Sequence, residues 1–344
     1  MSKCRLSVAI DQAGRRFTFG DKVTGHVTAQ AGADCRCNRL KAALLWKAHG
    51  HSRSSDGPRQ EQVLFEGEWK AAESHRYPFE FEIPNGPVTY HGQELNVDWL
   101  VAAEADIASG LDARVEETFV VTVGDDPNRV TLPEARTPEQ AARLAAVTAI
   151  GKVVLGAIVG AVGWTVFVMG VLAVAAGQNA GWMGVVAGAV FGLVGTSLAI
   201  AGARWLIGAS FLRVMHLSLD PPACRAGGEV GVNLVFTPRR PITIDGITAT
   251  IEGKERIVFG GSKSSTEFTH LIGREARPLG GPPSANPGLP VSVKGRLAVP
   301  GDAPHSFRLS VFDRYWEVEW TVHLRVALRG RPDWTRQLVL KVGP

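Results

Sequence analysis

The chain has 344 residues, of which 20% are charged and 45% are hydrophobic, so it is long enough for two ordinary domains. Four cysteines, at positions 4, 35, 37 and 224, are too few and too irregularly spaced for a small secreted disulfide scaffold, and we expect reduced thiols. The formal net charge of +4 divides unevenly, because residues 1–152 carry −3 and residues 204–344 carry +7. A strongly basic second half is typical of contact with anionic lipid or an acidic partner, and also of a scattered, solvated surface.

The first half, residues 1–124, alternates apolar and polar side chains in short runs separated by turn residues. Such runs predict β-strands, and no amphipathic helical pattern interrupts them. The runs are Arg5–Ile10, Lys22–Thr28, Leu40–Trp46, Tyr77–Ile83, Leu95–Ala102 and Glu117–Val123. Many short strands at this spacing predict a β-sandwich.

Residues 125–152 are predicted to form a linker and the start of a helix. Thr137, Pro138 and Gln140 fit a helix start, because threonine can cap, proline suits the first helical position and glutamine completes a capping box. We therefore expect the first long helix to begin near residue 138, before the apolar segment.

Residues 153–203 contain no Asp, Glu, Lys or Arg. Two spans fit within this segment, at about 153–176 and 180–203, and each has roughly the 20 residues needed to cross a hydrocarbon core. The polar tract at 177–179 is the turn between them. The sequence therefore predicts a two-helix transmembrane hairpin.

The flanks of the hairpin predict its orientation. Arg143 and Lys152 precede the first span, Arg204 and Arg213 follow the second, and the turn has no charge. Basic flanks remain on the cytoplasmic side, and residues 1–10 show no signal peptide, so both soluble domains are expected to be cytoplasmic. The excess of arginine over lysine fits a GC-rich bacterial genome, and we therefore expect a bacterial inner membrane as the location.

Glycines recur in the spans at a small-xxx-small spacing that permits close helix contact. They are Gly156 and Gly160 in the first span and Gly184, Gly188 and Gly192 in the second. The two spans are expected to pack on each other through these residues. The alternative is that one face stays free to form a homo-oligomer. The spans lack ionisable residues, the usual marker of a transport pathway, which favours an anchor.

The second half, residues 211–344, shows the same short alternating runs and predicts a second β-sandwich. The runs are Val230–Phe236, Ile247–Glu252, Val291–Val299, Ser306–Val311, Glu317–Val326 and Trp334–Val342. The proline-rich tract 277–290 predicts a long flexible loop. Both halves place a glycine turn before an early strand and a proline before a tryptophan-bearing strand, which indicates an internal repeat.

Several motifs resemble those of the arrestin-like clan, whose members carry two tandem β-sandwiches. They are the turn and strand at 20–25, the segment at 79–84, and the tract at 87–102 with Tyr90, Gly92 and Trp99. In the second half the segments at 228–230, 244–247 and 299–300 and Trp320 are similar. The resemblance implies two arrestin-like or immunoglobulin-like sandwiches. The inserted hairpin departs from the soluble pattern of the clan.

The motifs that could indicate catalysis or metal binding are each explained more simply by a structural role. His49 and His51 could bind a metal from one strand face, but the polar segment 50–57 predicts a solvated loop there. The tract 260–264 lacks the spacing of a phosphate-binding loop, and Glu80/Glu82 and Glu317/Glu319 fit solvent-facing strand positions. No cofactor, metal or nucleic-acid partner is predicted, and no enzyme activity.

The sequence thus favours a membrane-anchored, non-enzymatic protein-binding or scaffolding module with its sandwiches at the cytoplasmic face. The alternative is an accessory subunit of a membrane enzyme or transporter complex that docks through the glycine-rich hairpin. Expected partners are proteins at the membrane surface and the lipid bilayer, with anionic lipid at the basic second domain and homo-oligomerisation through the hairpin as further options.

Overall fold

The computed structural model describes residues 3–12, 14–51, 53–108, 110–122, 138–260, 266–311 and 314–343. The fold is mainly β, with 56% strand and 21% helix, in two sheet-rich domains joined by a hairpin of two long apolar helices. The predicted fold class is therefore confirmed. The predicted linker from Gly124 to Thr137 lies outside the described residues.

The first domain packs a three-stranded sheet, in the order β1-β3-β7, against a seven-stranded sheet. The larger sheet has the order β2-β10-β9-β4-β5, and β6 and β8 pair with β4 and β9. The strands are β1 (Cys4–Ile10), β2 (Arg16–Phe17), β3 (Lys22–Ala31), β4 (Cys35–Gly50), β5 (Arg53–Asp56), β6 (Gln60–Trp69), β7 (Ser74–Glu82), β8 (Tyr90–His91), β9 (Asn96–Ile107) and β10 (Ala113–Val121).

The second domain repeats this arrangement, with sheets β11-β13-β17 and β12-β20-β19-β14-β15 and with β16 and β18 paired to β14 and β19. The strands are β11 (Leu212–Asp220), β12 (Ala223–Arg225), β13 (Glu229–Pro238), β14 (Ile242–Phe259), β15 (Thr266–Leu279), β16 (Ser284–Ala285), β17 (Val291–Ala298), β18 (Phe307–Val311), β19 (Arg314–Leu328) and β20 (Trp334–Gly343).

Alternation of buried and exposed side chains explains why these segments form sandwiches. In β13 every second residue is buried, and β3 follows the same pattern. Successive side chains of a strand point to opposite faces, so one face of each strand enters the core between the two sheets. Fully buried indoles fill both cores: Trp69 and Trp99 in the first, and Trp316, Trp320 and Trp334 in the second.

Matching hydrogen bonds confirm the internal repeat. The indole Nε1 of Trp99 donates to the carbonyl of Pro87 at 2.7 Å, and Nε1 of Trp320 donates to the carbonyl of Pro304 at 2.8 Å. Two residues after each proline, a side-chain hydroxyl accepts a hydrogen bond from a backbone N–H of the last strand of its domain. Val121 N–H donates to Thr89 Oγ1 at 2.9 Å, and Val342 N–H donates to Ser306 Oγ at 3.0 Å.

The hairpin consists of α1 (Pro138–Ala175) and α2 (Gly181–Phe211). Helix α1 ends in a left-handed Gly177, with φ of 81°. Gly177 N–H donates to the carbonyl of Val174, and Gln178 N–H donates to the carbonyl of Ala173. This pair of bonds is the Schellman motif, which satisfies the last carbonyls of a helix. Helix α2 runs into β11 without a connecting loop, because Phe211 and Leu212 are adjacent.

Helix α2 continues to Phe211, beyond the predicted membrane span that ends at about residue 203. Two loop predictions are wrong. The polar segment 50–57 is largely a strand, β5, which pairs with the end of β4. The predicted loop 277–290 is partly ordered, because β15 runs to Leu279 and β16 pairs with β14 within it.

His305 makes the stability of the second domain sensitive to acid. Its Nε2 atom is buried without a hydrogen-bond partner in the described residues. Burial lowers the pKa of His305 from 6.5 to about 4. Above pH 6.5 the imidazole is neutral in both the folded and the unfolded state. As the pH falls below that value, the unfolded chain binds a proton that the folded chain resists.

We therefore expect His305 to contribute about 1.4 kcal/mol per pH unit to the fall in the free energy of unfolding as the pH decreases from 6.5 towards 4. Thermal unfolding of the purified protein across this range measures the slope. His305→Gln removes the titrating group and should reduce the slope by about this amount, whereas His323, whose pKa burial also lowers, still contributes. His216→Gln, which alters an exposed imidazole on β11, should leave it unchanged. An equal slope in wild type and His305→Gln would contradict the assignment.

Candidate functional site

The glycines predicted at the helix interface lie between α1 and α2. A methyl group at Gly156 would overlap the backbone of Ala199, and one at Gly188 would overlap that of Phe167. At Gly160 the nearest atom would be Thr196 N at 3.4 Å, an ordinary contact. At Gly184 it would be Gly170 Cα at 3.1 Å, and at Gly192 the Trp164 ring at 2.9 Å. The glycine-bearing face of each helix is therefore packed against the other helix of the hairpin.

Equally close helix contacts involve glycines that the small-xxx-small pattern overlooks. Methyl groups at Gly163 and Gly195 would overlap the backbones of Gly192 and Gly160. The signal that reveals them is a seven-residue spacing, which returns to one helix face every two turns. The series are 156, 163 and 170 in α1, and 181, 188, 195 and 202 in α2.

The outward faces of the hairpin are apolar. Helices Arg143–Ala175 and Gly181–Phe211 are long and apolar enough to cross a membrane, and only 17% of the most apolar window of each is buried. The exposed large side chains include Leu155, Ile158, Val162, Met169, Leu172, Val186, Val190, Phe191, Leu193 and Ile200. The flanking bases Arg143, Lys152, Arg204 and Arg213 are all exposed at the end of the hairpin opposite the turn.

A buried carboxylate joins the two sandwiches. Glu255 on β14 is only 2% exposed, and its side chain enters the loop between β8 and β9. Its Oε1 accepts hydrogen bonds from Tyr90 Oη at 2.6 Å and from Gln93 N–H at 3.2 Å. Its Oε2 accepts from the backbone N–H groups of Glu94 at 2.8 Å and Leu95 at 3.3 Å. Four donors from the first domain thus satisfy one anion of the second.

Neighbouring residues close this interdomain contact. A methyl group at Gly92 would overlap the Glu255 carboxylate, so glycine permits its close approach. Burial and the hydrogen bond to Glu255 raise the pKa of Tyr90, which keeps the phenol protonated as a donor. The Tyr90 ring meets Phe307 edge to face at 5.4 Å, and His51 stacks on Phe268 at 3.8 Å.

The histidines of the first domain bind carboxylates, and two of them share Asp98. Asp98 binds His49 Nε2 at 2.6 Å and His91 Nε2 at 2.7 Å, whereas His51 pairs with Glu94. Burial opposes the ionisation of Asp98, but these two hydrogen bonds lower its pKa overall. In the described part of the chain, no group of three or more His, Cys, Asp or Glu side chains is arranged to hold a metal ion.

No disulfide bond joins any two of the four cysteines. Cys4, Cys35 and Cys37 are buried in the first sandwich, and Cys35 and Cys37 face its core from the same side of β4. Burial raises the pKa of Cys4 to about 11 and that of Cys37 to about 12. Thiolates are scarce at these pKa values, so both side chains act as small apolar residues.

A cleft of about 1290 Å³ lies between the base of the hairpin and the seven-stranded sheet of the second domain. One wall comes from α1 and α2, including Leu144, Thr148, Lys152 and Trp205. The other wall comes from β14, β15, β18, β19 and β20 and is strongly charged. Six bases and three acids line the cleft: Lys152, Arg256, Arg274, Arg308, Arg325 and Arg336, and Glu252, Glu317 and Glu319.

Ion pairs engage most of these charges. Arg256 lies 3.6 Å from Glu317 and 3.7 Å from Glu319, and Arg308 lies 3.8 Å from Glu317. Arg274 approaches Glu252 at 3.6 Å, and Arg325 binds Asp333 at 2.7 Å. Lys152 and Arg336 have no carboxylate within 4 Å among the residues that the structure describes. The cleft therefore retains unpaired positive charge.

No protein-family model matches this sequence, and no curated protein matches it either. Fold and geometry alone define the class of the molecule: a mainly β protein with two sheet-rich domains, one of which continues directly from an apolar helical hairpin.

Proposed function

We propose that this chain is a membrane-anchored, non-enzymatic protein-binding and scaffolding module of the bacterial inner membrane, with both β-sandwiches at the cytoplasmic face. The observation that carries the proposal is the hairpin. Its small residues face inward, its large apolar side chains face outward, and little of either helix is buried. Exposed apolar surface on this scale is costly in water and favourable in lipid.

The likeness of both sandwiches to the arrestin-like clan is part of this proposal. Motif residues of the resemblance occupy structural positions, since Trp99 and Trp320 make equivalent hydrogen bonds and Tyr90 and Gly92 contact Glu255. These roles support two related sandwiches. Fold does not determine function, so partner binding needs its own argument.

Strand addition is the mode of partner binding that the sheets support. Strand β15 is 14 residues long and lies at the end of its sheet, where β14 is its only paired strand in the described chain. An extended peptide can bind such an edge through backbone hydrogen bonds.

Cysteine labelling tests the orientation. In a Cys224→Ser background, single cysteines replace Gln62 in the first domain, Asn179 in the turn and Asp302 in the second domain, all of which are exposed. The native thiols in the first sandwich are buried and should label slowly. In intact cells, an impermeant maleimide should label only Asn179→Cys, and the other two should label only after lysis. Labelling of Gln62→Cys or Asp302→Cys in intact cells would contradict a cytoplasmic location.

A second candidate function is an accessory subunit of a membrane enzyme or transporter complex. The exposed apolar side chains of the hairpin favour it, because they can bind other membrane helices as well as lipid. Docking would then use these outer side chains, since the glycine faces are occupied within the hairpin. Purification in mild detergent discriminates the two functions: stoichiometric membrane partners favour the subunit, and soluble partners favour the scaffold.

A further inference from the structure

We propose that the cleft between the hairpin base and the second sandwich binds the phosphate headgroup of an anionic phospholipid, with Arg336 as the main ligand and Lys152 as a second cation. The inference rests on the proposed membrane anchorage. It assigns a defined site and a ligand to the basic second domain, where overall charge indicates only a general attraction to lipid.

Arg336 is a partly buried cation without a counter-ion among the described residues. Its guanidinium lies over the rings of Trp205 and Trp334, each at 5.2 Å. Its one hydrogen bond to a described residue goes to the adjacent carbonyl of Thr335 at 3.1 Å. Desolvation lowers its pKa, with no carboxylate to offset the effect. Buried charges in proteins are normally paired, so this arrangement indicates an anion that binds from outside the chain.

The chemistry of the guanidinium favours phosphate. Contact with the two indole rings leaves edge N–H groups of the planar cation available, apart from the one that donates to Thr335. Such groups match the oxygens of a phosphate in a bidentate arrangement. The neighbouring arginines do not compete for the anion, because Glu252, Glu317, Glu319 and Asp333 engage them. Among the described residues, Arg336 and Lys152 are thus the cleft cations without a carboxylate within 4 Å.

The position of the cleft selects lipid over a soluble phosphate. Lys152 is the last charged residue before the apolar segment, and Leu144 lines the cleft two helical turns earlier. A helix rises about 1.5 Å per residue, so the cleft extends about 12 Å outward from the edge of the apolar segment. This range is the headgroup layer of a bilayer that the hairpin crosses. Trp205 in the cleft wall is a residue type enriched at this level.

Native mass spectrometry of the full chain in neutral detergent can resolve individual lipid-binding events. We expect the first phosphatidylglycerol to bind about tenfold more tightly than phosphatidylcholine, and Arg336→Gln to remove this preference. Arg240→Gln is the matched control, because it removes an exposed arginine adjacent to Arg239, whose N–H binds the carbonyl of Phe211 at the hairpin base. This control should bind phosphatidylglycerol as the wild type does.

Further variants guard against misfolding of Arg336→Gln, and a competition experiment identifies the source of the phosphate. Arg336→Lys should retain part of the preference, and Lys152→Gln, at an exposed helix position, should weaken it even if Arg336→Gln does not fold. Equal binding of the two lipids, wild-type binding by both Arg336→Gln and Lys152→Gln, or an equal loss in Arg240→Gln would overturn the proposal. Displacement of the lipid by glycerol phosphate at the same concentration would assign the site to a soluble phosphate and overturn the lipid assignment.

Insertion into phosphatidylcholine nanodiscs separates this inference from the function on which it rests. Insertion without a preference for phosphatidylglycerol would support the proposed membrane anchor and contradict the proposed lipid site. Failure to insert would contradict both proposals.

Discussion

Glu255→Gln is expected to loosen the contact between the two sandwiches more than any other single substitution of a polar residue. The carboxylate accepts four hydrogen bonds from the first domain and is almost fully buried. The amide nitrogen of glutamine is a donor, so it would face backbone N–H groups without satisfying them. Hydrogen bonds to a charged group contribute about 1.5–3 kcal/mol, and a buried unsatisfied donor costs about 1–3 kcal/mol. We expect a loss of about 3 kcal/mol at the interdomain contact.

Hydrogen exchange of the backbone amides at 93–95 measures this loss directly, because these amides donate to Glu255. A loss of 3 kcal/mol makes local opening about 100-fold more frequent. Glu275→Gln is the control, because Glu275 is a partly exposed residue that pairs with Arg277 on the same strand. Exchange at 93–95 should be unchanged in the control. Wild-type exchange in Glu255→Gln would show that the carboxylate does not hold the domains together.

Gly195→Ala and Gly151→Ala are expected to change the stability of the hairpin in opposite directions, although the chemical change is identical. A methyl group at Gly195 would overlap the backbone nitrogen of Gly160, so the helices must separate. Overpacking of this kind costs about 1–3 kcal/mol. At Gly151 a methyl group would have no heavy atom within 4 Å in the described chain apart from local backbone. Alanine there should stabilise the helix by about 1 kcal/mol through its higher helix propensity.

Unfolding of the purified protein in mixed micelles with rising SDS fraction, followed by far-ultraviolet circular dichroism, measures both effects. Gly160→Ala is a second control on the same face, since its methyl group would meet Thr196 N at an acceptable 3.4 Å. The expected order of stability is Gly151→Ala, then wild type and Gly160→Ala, then Gly195→Ala. Equal destabilisation by Gly160→Ala and Gly195→Ala would indicate that the two helices are not packed as described.

Much of the fold follows from patterns local in sequence. The run from Val230 to Phe236 alternates with a period of two, and β13 buries every second residue, because one face of that strand meets the opposite sheet. The charge-free segment from 153 to 203 predicts the helical hairpin on composition alone. The repeat was detectable because turn and proline positions are fixed by backbone geometry in both halves.

Strands with solvated faces were harder to predict. Strand β6, Gln60–Trp69, has exposed residues at most positions, so its pattern resembles a loop, and pairing with β4 determines its conformation. The prolines at 278 and 282 favour a loop in the sequence, and they mask the end of strand β15. Strand β15 tolerates Pro278 because it lies at a sheet edge.

The functional contacts depend on residues far apart in sequence. Tyr90 and Glu255 are 165 positions apart, so no local pattern connects them. The absence of a described carboxylate partner for Arg336 depends on which neighbouring arginines pair with the acids of the cleft, and no local sequence pattern encodes that pairing. For the helix interface the signal is local, since the predicted small-xxx-small glycines lie between the helices and a seven-residue glycine series adds further contacts.

The direct continuation of α2 into β11 has a mechanical consequence. A loop would absorb rotation, but Phe211 and Leu212 are consecutive residues of a helix and a strand, and Arg331 lies over the Phe211 ring at 4.6 Å. We therefore expect any tilt or twist of α2 to be transmitted directly to the second sandwich. We expect such movement to reach the first sandwich through its described contacts with the second, among them the hydrogen bonds of Glu255 to the β8–β9 loop and the stacking of His51 on Phe268.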